Sequence, residues 1–494
     1  MAVPTITGTT ISSITETTAI GCGNITASGG TIACRGIDYW KDGQNTFCSG
    51  TGFNGDVCAI AIQSDTKVIV GGVYTSYSGV SAGQIIRLNS TGSIDSSFDV
   101  GAGFNGDDVF TIAIQSDNKI VVGGYFTTFD TGSSINRIVR LNSNGSIDTG
   151  FTTVGFDNDV TALLLQSDNK IVVGGGFSTY DTGTTANYIA RLCSNGTFDT
   201  GFTASFDSSI YALAPQGNKI LVGGGFTTYD TGTTANYIAR LCSNGTFDTG
   251  FTTGTGFDGS VCAIAIQNDG KILAAGCFTA FDGGAFCNIA RLCSNGCVDN
   301  TFVVDAFING GIQTISVQAD CKIVIGGRFN GYGNILRLNS NGSIDDSWFI
   351  EDFTGFNSCV NTTAIETNNK ILAGGHFTSY TYIDANHYTE LNSDGTIYRI
   401  ALSSTTGDTG IFITDLTGLT SNTLYHAQAF AANGDGNGYG NIVSFTTLAG
   451  GVIEVLTSTG YRFYLRTDIG DADAIEAQLQ AIAIAVDNQT NANY

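Results

Sequence analysis

Val109-Phe-Thr-Ile-Ala-Ile-Gln-Ser-Asp-Asn-Lys-Ile-Val-Val-Gly-Gly124, followed by Arg140-Leu-Asn-Ser-Asn-Gly145 and Asp148-Thr-Gly-Phe151, is a passage that the chain repeats in seven copies, the seventh without its ending. The lysine of each copy stands at Lys67, Lys119, Lys170, Lys219, Lys271, Lys322 and Lys370, in steps of 52, 51, 49, 52, 51 and 48 residues. A fixed period near 50 means one supersecondary unit stacked many times, so the fold is read through that unit. Each copy holds three apolar runs of strand length, in copy 2 Phe110–Gln115, Lys119–Gly124 and Arg137–Asn142. Alternation and β-branched residues mark them as strands, and Ser-Asp-Asn, Asp-Thr-Gly and Ser-Asn-Gly as the turns between them. A fourth short strand fits Ile147–Phe151. Four antiparallel strands per copy, seven times over, describe an all-β, seven-bladed β-propeller.

The chain ends favour a closed ring over an open solenoid. Copies 1 to 6 close with Asp-x-x-Phe or Asp-x-x-Trp, at Phe98, Phe151, Phe202, Phe251, Phe302 and Trp348. Copy 7 lacks that ending, and the missing piece stands before copy 1 as Asn45-Thr-Phe47 and Gly50-Thr-Gly-Phe-Asn-Gly55. Pairing of Asn45–Phe53 into the blade of Lys370 would close the ring and remove its exposed edges. These motifs resemble the delta-60 repeat family of β-propellers over about residues 45 to 400. The resemblance implies the propeller fold and a scaffold or binding platform; it names no reaction.

The flanks read as one domain cut in two. Residues 1–44 hold strand-like runs at Thr5–Ile14, Ala19–Thr26 and Thr31–Tyr39, and residues 403–448 hold others at Gly410–Leu416, Leu424–Ala432 and Gly440–Thr447. Neither half can bury both faces of a sandwich alone. Leu416-Thr-Gly-Leu-Thr-Ser-Asn-Thr-Leu-Tyr425 and Gly438-Tyr-Gly-Asn-Ile-Val-Ser-Phe445 resemble the second half of a fibronectin type III-like domain found in Bacteroidota surface and phage proteins, and Ile11–Asp38 its first half. The expectation is a propeller at 45–402 inserted into an immunoglobulin/fibronectin III-like sandwich. Residues 449–494 follow as a strand-plus-helix segment for attachment or oligomerisation. Within it, Asp471–Asn488 reads as a helix with the stripe Ile475, Leu479, Ile482 and Val486, a candidate contact with another subunit.

Net charge is −23, seven of the eight lysines are the repeat lysine, and six of the twelve arginines are the repeat arginine. Few cations remain for phosphate neutralisation, so nucleic acid is not expected as a partner. No run of 18 apolar residues predicts a membrane span. Thirteen cysteines are too sparse and too odd in number for a disulfide framework. Cys193, Cys242 and Cys293 stand where other copies have Asn89, Asn142 and Asn339, which reads as packing. Cys293-Ser-Asn-Gly-Cys297 has no second pair for zinc.

The arginine and the aspartate eight residues on recur as Arg87/Asp95, Arg140/Asp148, Arg191/Asp199, Arg240/Asp248, Arg291/Asp299 and Arg337/Asp345, whereas copy 7 has Glu390 and Tyr398. This predicts a structural pair tying the third strand to the fourth. Catalysis finds little foothold: His376 sits in a repeat slot and reads as packing, and no histidine joins a nucleophile motif. No cofactor is expected. Calcium is the ion that the Asp-x-Asn and Asp-Thr-Gly turns would take, although no Asp-x-Asp-x-Asp-Gly loop is present. Tyr180, Tyr188, Tyr229 and Tyr237 beside Asp-Thr-Gly-Thr-Thr-Ala-Asn loops are candidate rim residues for a host-surface glycan or protein.

Met1-Ala-Val-Pro-Thr-Ile-Thr has no signal-peptide pattern, which for an extracellular-type domain suggests a virion protein assembled in a host cytoplasm. The functional expectation is a non-enzymatic structural or adhesion component of a bacteriophage virion, in several copies and bound to other virion proteins. A secreted or surface adhesin is the alternative, and a propeller-fold carbohydrate-active enzyme is a third.

Overall fold

The computed structural model describes residues 52–395, apart from 105–107, 131, 182, 231, 305–307, 331–332, 349–354, 381–382 and 394, together with the strand backbones at 5–12, 19–27, 34–41, 399–402, 410–416, 424–433, 436–446, 452–456 and 462–466. The chain divides into two compact units, residues 47–397 and residues 1–46 with 398–494. Among the described residues every regular element is a strand.

Each repeat forms a three-stranded antiparallel sheet in chain order. In copy 2, Val109–Ile114 pairs with Ile120–Gly124, which pairs with Ile138–Leu141. The middle strand is wholly buried, which is why it reads Ile-Val-Val-Gly-Gly rather than alternating. The expected fourth strand is less than a strand. It makes one bridge, Leu141↔Ile147, before Asp148 turns the chain away, and five other copies do the same. Between second and third strands lies a ribbon that the sequence reading did not anticipate, Thr128–Phe129 with Ser133–Ser134 in copy 2.

The two glycines after the middle strand have separate reasons. A Cβ on Gly123 would lie 2.5 Å from Val160 Cγ1 of the next copy, so this glycine lets neighbouring sheets approach. A Cβ on Gly124 would run into the Asp108 carbonyl of its own sheet, where a bulge brings the backbones together. The first relation passes from copy to copy: Gly71 meets Val109, Gly174 meets Ile210, Gly223 meets Val261 and Gly326 meets Val360. Gly374 of copy 7 meets Val57 of copy 1 in the same way. Backbone links repeat too, with Phe104 N–H donating to Gly83 O at 3.0 Å, Phe156 to Asn136 O at 3.1 Å and Phe53 to Asn386 O of copy 7 at 3.1 Å. Residues 45–51, which the sequence reading also assigned to closure, lie outside the described residues.

In the other unit, Thr5–Ser12, Ala19–Ala27 and Gly410–Leu416 form one sheet. Arg399–Leu402, Cys34–Lys41, Leu424–Asn433 and Gly436–Thr446 form a second. Strands from before and after residues 47–397 thus pair with one another. Arg399–Leu402 was read as propeller, but its backbone bonds go to Gly36–Tyr39, so it belongs here. Val452–Leu456 and Arg462–Arg466 form a hairpin. The expected helix Asp471–Asn488 with Ile475, Leu479, Ile482 and Val486 lies outside the described residues.

Candidate functional site

Antiparallel order puts every sheet's turns at one of two ends, and the two ends differ in character. At the first end, the middle-strand lysine and third-strand arginine converge on one aspartate. Asp148 Oδ2 accepts from Arg140 Nε at 2.7 Å and from Lys119 Nζ at 2.9 Å. The other pairs match: Arg87 and Asp95 at 2.7 Å, Arg191 and Asp199 at 2.8 Å, Arg240 and Asp248 at 2.6 Å, Arg291 and Asp299 at 2.8 Å, Arg337 and Asp345 at 2.7 Å. Each is therefore a triad with the repeat lysine, which the sequence reading of a pair missed.

The guanidinium also reaches out of its own copy. Arg87 Nη1 donates to Ser143 O at 2.6 Å and Arg140 Nη1 to Ser194 O at 2.5 Å; Arg191, Arg240, Arg291 and Arg337 bond Ser243, Ser294, Ser340 and Ser393. The closing aromatic stacks on the same group, Phe151 lying 4.7 Å from the Arg140 guanidinium carbon. Burial opposes ionisation of these aspartates, but the lysine, arginine and backbone donors outweigh it and hold all six below the usual carboxylate range. Copy 7 does not lose its ion pair: Glu390 stands in the arginine's place and takes Lys370 at 2.5 Å while 2% exposed.

The second end holds the variable residues. One ring of them follows the glycine pair: Val73, Tyr125, Gly176, Gly225, Cys277, Arg328 and His376, of which Val73, Tyr125, Cys277, Arg328 and His376 are exposed. A second ring occupies the bulge of each first strand: Cys58, Phe110, Thr161, Tyr211, Cys262, Gln313 and Asn361. A bulge re-aims one side chain without disturbing the ladder on either side. A third ring enters the third strand with positive φ at Gln84 (63°), Arg137 (67°), Tyr188 (66°), Tyr237 (68°), Asn288 (62°), Asn334 (63°) and His387 (67°). Non-glycine residues in this region are uncommon and cost energy unless the surroundings impose them. Here the backbone is clamped from both sides; Arg137 N–H donates to Phe126 O at 2.9 Å and its carbonyl accepts from Gly124 at 3.0 Å. The conformation is fixed by the fold, so the side chain is free to vary.

Where copy 7 adjoins copy 1, two ring histidines meet an acid. His376 Nδ1 lies 2.7 and 2.8 Å from the two Asp56 carboxylate oxygens. His387 Nδ1 lies 3.0 Å from Gly375 O and 3.3 Å from Asp56 Oδ1. Each Nδ1 faces oxygen acceptors and is the protonated nitrogen, which leaves Nε2 a lone pair in the neutral ring. The His376 side chain is 65% exposed, which corrects its reading as a packing residue. Nearby, burial first and then Asp56 and Asp108 push the Cys58 thiol up to about 12, and burial raises Cys359, so neither supplies a thiolate at neutral pH. The arrangement offers an oriented imidazole and acids at Asp56, Asp108 and Asp159; elsewhere at this end the Arg137 guanidinium stacks 4.1 Å from the Tyr125 ring centre, and Tyr188 is half-buried against apolar core.

Of the four candidate rim tyrosines, Tyr188 and Tyr237 lie in the third ring. Tyr180 and Tyr229 do not: they are 5% and 8% exposed, and each hydroxyl donates at 2.8 Å to a turn carbonyl, Gly196 O or Gly245 O. They pack the core against Phe156 and Phe206. Asp56, His387, Arg137 and the bulge residues were not singled out from sequence; comparing the seven copies for positions that vary between invariant neighbours would have found them. Among the described residues no group of three or more His, Cys, Asp or Glu is placed to hold a metal ion. Acids such as Asp117 instead accept turn N–H groups, here from Lys119 at 3.1 Å.

Six stretches, residues 63–98, 115–151, 166–202, 218–251, 267–302 and 318–347, match the family model described as "Domain of unknown function (DUF5122) beta-propeller". This chain is a β-propeller repeat protein. No curated protein matches it. Similar solved structures include a gluconolactonase from Xanthomonas campestris, 12% identical with a TM-score of 0.34, covering 60% of this chain and 93% of that one. Another is a protein of unknown function from Bacteroides caccae, 12% identical with a TM-score of 0.30, covering 62% of this chain and 97% of that one. The expectation of a chain without enzymatic activity does not stand, since an enzyme is among these neighbours and the histidines do meet an acid. At this similarity the neighbour assigns no reaction to the chain.

Proposed function

We propose that this chain is a binding component of a bacteriophage particle, in which a closed seven-bladed propeller is inserted in a fibronectin III-like sandwich and takes its target at the variable end. The observation that carries this reading is the contrast between two ends of the same sheets. One end repeats a single Lys-Asp-Arg-aromatic device six times. The other holds three rings whose side chains change from copy to copy on an unchanging backbone. Drift alone would loosen both ends alike.

Closure is supported by Gly374 meeting Val57 as Gly123 meets Val160. Insertion is supported by the pairing of Cys34–Lys41 with Arg399–Leu402 and Leu424–Asn433. Aromatic faces and neutral donors at Tyr125, Tyr188, Tyr211, Tyr237, Asn288 and Asn361, beside Asp56, Asp108 and Asp159, suit a neutral surface glycan or a protein loop better than a polyanion. Many copies on one particle would raise a modest single-site affinity by multivalency. Mass spectrometry of purified particles tests the assignment. The chain is expected there in multiple copies, and truncation after Leu448 is expected to release it. Its absence from particles would move the same binding end to a bacterial surface adhesin.

A further inference from the structure

Copy 5 alone carries cysteine at both positions that face each other across the Ser-Asn-Gly turn. In copies 1, 2 and 6 these positions hold Asn and Ser, with side chains hydrogen-bonded at 3.0 Å as Asn89–Ser93, Asn142–Ser146 and Asn339–Ser343. Copies 3 and 4 pair a cysteine with a threonine, Cys193 with Thr197 and Cys242 with Thr246. The backbone is the same throughout. Cys293 N–H donates to Cys297 O at 2.8 Å, Gly296 N–H donates to Cys293 O at 2.9 Å, and Gly296 takes φ of 98°.

Side chains at these two positions come within 3.0 Å of each other in copies 1, 2 and 6, and a disulfide bridges residues whose Cα atoms lie roughly 4.4–6.8 Å apart. Cys293 Sγ lies 3.9 Å from Val298 O on the same face of the turn, and hydrogen bonding to the Cys297 side chain, then burial, raises the Cys293 thiol. Cys297 is exposed and Cys293 half-buried. The turn is also the acceptor of the copy 4 latch, because Arg240 bonds Ser294 O and a Cβ on Gly296 would lie 2.9 Å from the Phe251 ring.

We infer that Cys293 and Cys297 are a disulfide site, closed when the protein meets a low-molecular-weight disulfide such as oxidised glutathione. The exposed Cys297, as thiolate, attacks one glutathione sulfur; its S–S bond breaks and one glutathione thiolate leaves. Cys293, deprotonated in turn, attacks the Cys297 sulfur of the mixed disulfide, and the second glutathione thiolate leaves. The protein loses two electrons and two protons, and glutathione gains both. The bridge lies wholly within copy 5 and fixes the turn that receives Arg240 and Phe251 of copy 4. It requires no other cysteine of the chain.

The test is to equilibrate the full chain in oxidised glutathione, alkylate it, digest it and map the peptides by mass spectrometry. The expected result is an unlabelled peptide two hydrogens lighter that carries Cys293 and Cys297, whereas Cys193 and Cys242, which face threonine, take no intramolecular bridge. Cys297→Ser should leave Cys293 open to alkylation or to one glutathione. The double variant Cys293→Asn with Cys297→Ser restores the pair seen in copy 2 and should fold without the bridge. Alkylation of both cysteines under full oxidation, glutathione on Cys297 that never resolves, or a bond from Cys293 to another cysteine would overturn the inference.

Discussion

Removing Asp148 should cost more than removing Arg140, and the two losses should not add. Arg140→Ala gives up charge-assisted bonds to Asp148 and Ser194 and the stacking on Phe151. At about 1.5–3 kcal/mol for bonds to charged groups and about 0.5–2 kcal/mol for the cation–π contact, the loss is about 2–5 kcal/mol. Asp148 keeps Lys119 at 2.9 Å, so its charge stays compensated. Asp148→Ala instead strands Arg140, whose side chain is only 8% exposed, and releases Lys119, which is 32% exposed and can turn to water. An uncompensated buried cation costs about 3–5 kcal/mol. In the double variant that cation is gone, so its cost should fall short of the summed single costs by about 1–2 kcal/mol. Urea unfolding followed by far-ultraviolet circular dichroism, read at the propeller transition for all four proteins, measures the cycle. Equal single costs that add within error would refute the triad as the unit of the latch.

Acid should unfold the propeller late. The six repeat aspartates titrate below their usual range, so their stabilisation is complete above the unfolded value near 3.9 and is lost as pH falls through the folded values. The transition midpoint should hold between pH 7 and about 5 and fall below about 4; a midpoint that already falls between pH 7 and 5 would count against the aspartates as its cause. Gly374→Ala should cost as much as Gly123→Ala, about 1–3 kcal/mol, because each added methyl meets a β-branched side chain of the next copy. A neutral Gly374→Ala in the same unfolding assay would mean that copies 7 and 1 do not pack.

What was legible in the sequence followed from local chemistry repeated seven times. Gly-Gly after a β-branched run marked the end of each middle strand, and Arg140 and Asp148 announced each other by recurring together. The fourth strand was over-read because Ile147–Phe151 is apolar enough for one, yet Asp148 accepts the Gly150 N–H at 3.0 Å and turns the chain after a single bridge. Polar neighbours make Tyr180 look like a rim residue in the sequence; the pairing Phe156↔Tyr180 places its ring against the core. His376 and Asp56 stand 320 residues apart in sequence, so no local pattern could join them, and it is the meeting of copy 7 with copy 1 that does. The bulge and positive-φ rings were hidden for the opposite reason. Their side chains vary, and a repeat is recognised by what stays the same.

The most direct test of the proposed binding end is adsorption of the labelled full chain to a panel of bacterial cells, measured as an apparent Kd for three proteins. One is unaltered. The second is Tyr188→Asn with Tyr237→Asn, which uses the residue that copies 5 and 6 carry at Asn288 and Asn334 in the same positive-φ position; both rings also pack against apolar core, so its unfolding midpoint is measured beside its adsorption. The third is Asp117→Ala, an exposed turn change at the opposite end. Loss of two stacking faces should weaken adsorption about tenfold or more, while Asp117→Ala should leave it unchanged. Unchanged adsorption in the tyrosine variant with loss in Asp117→Ala would contradict the account, because the target would then sit on the end that repeats.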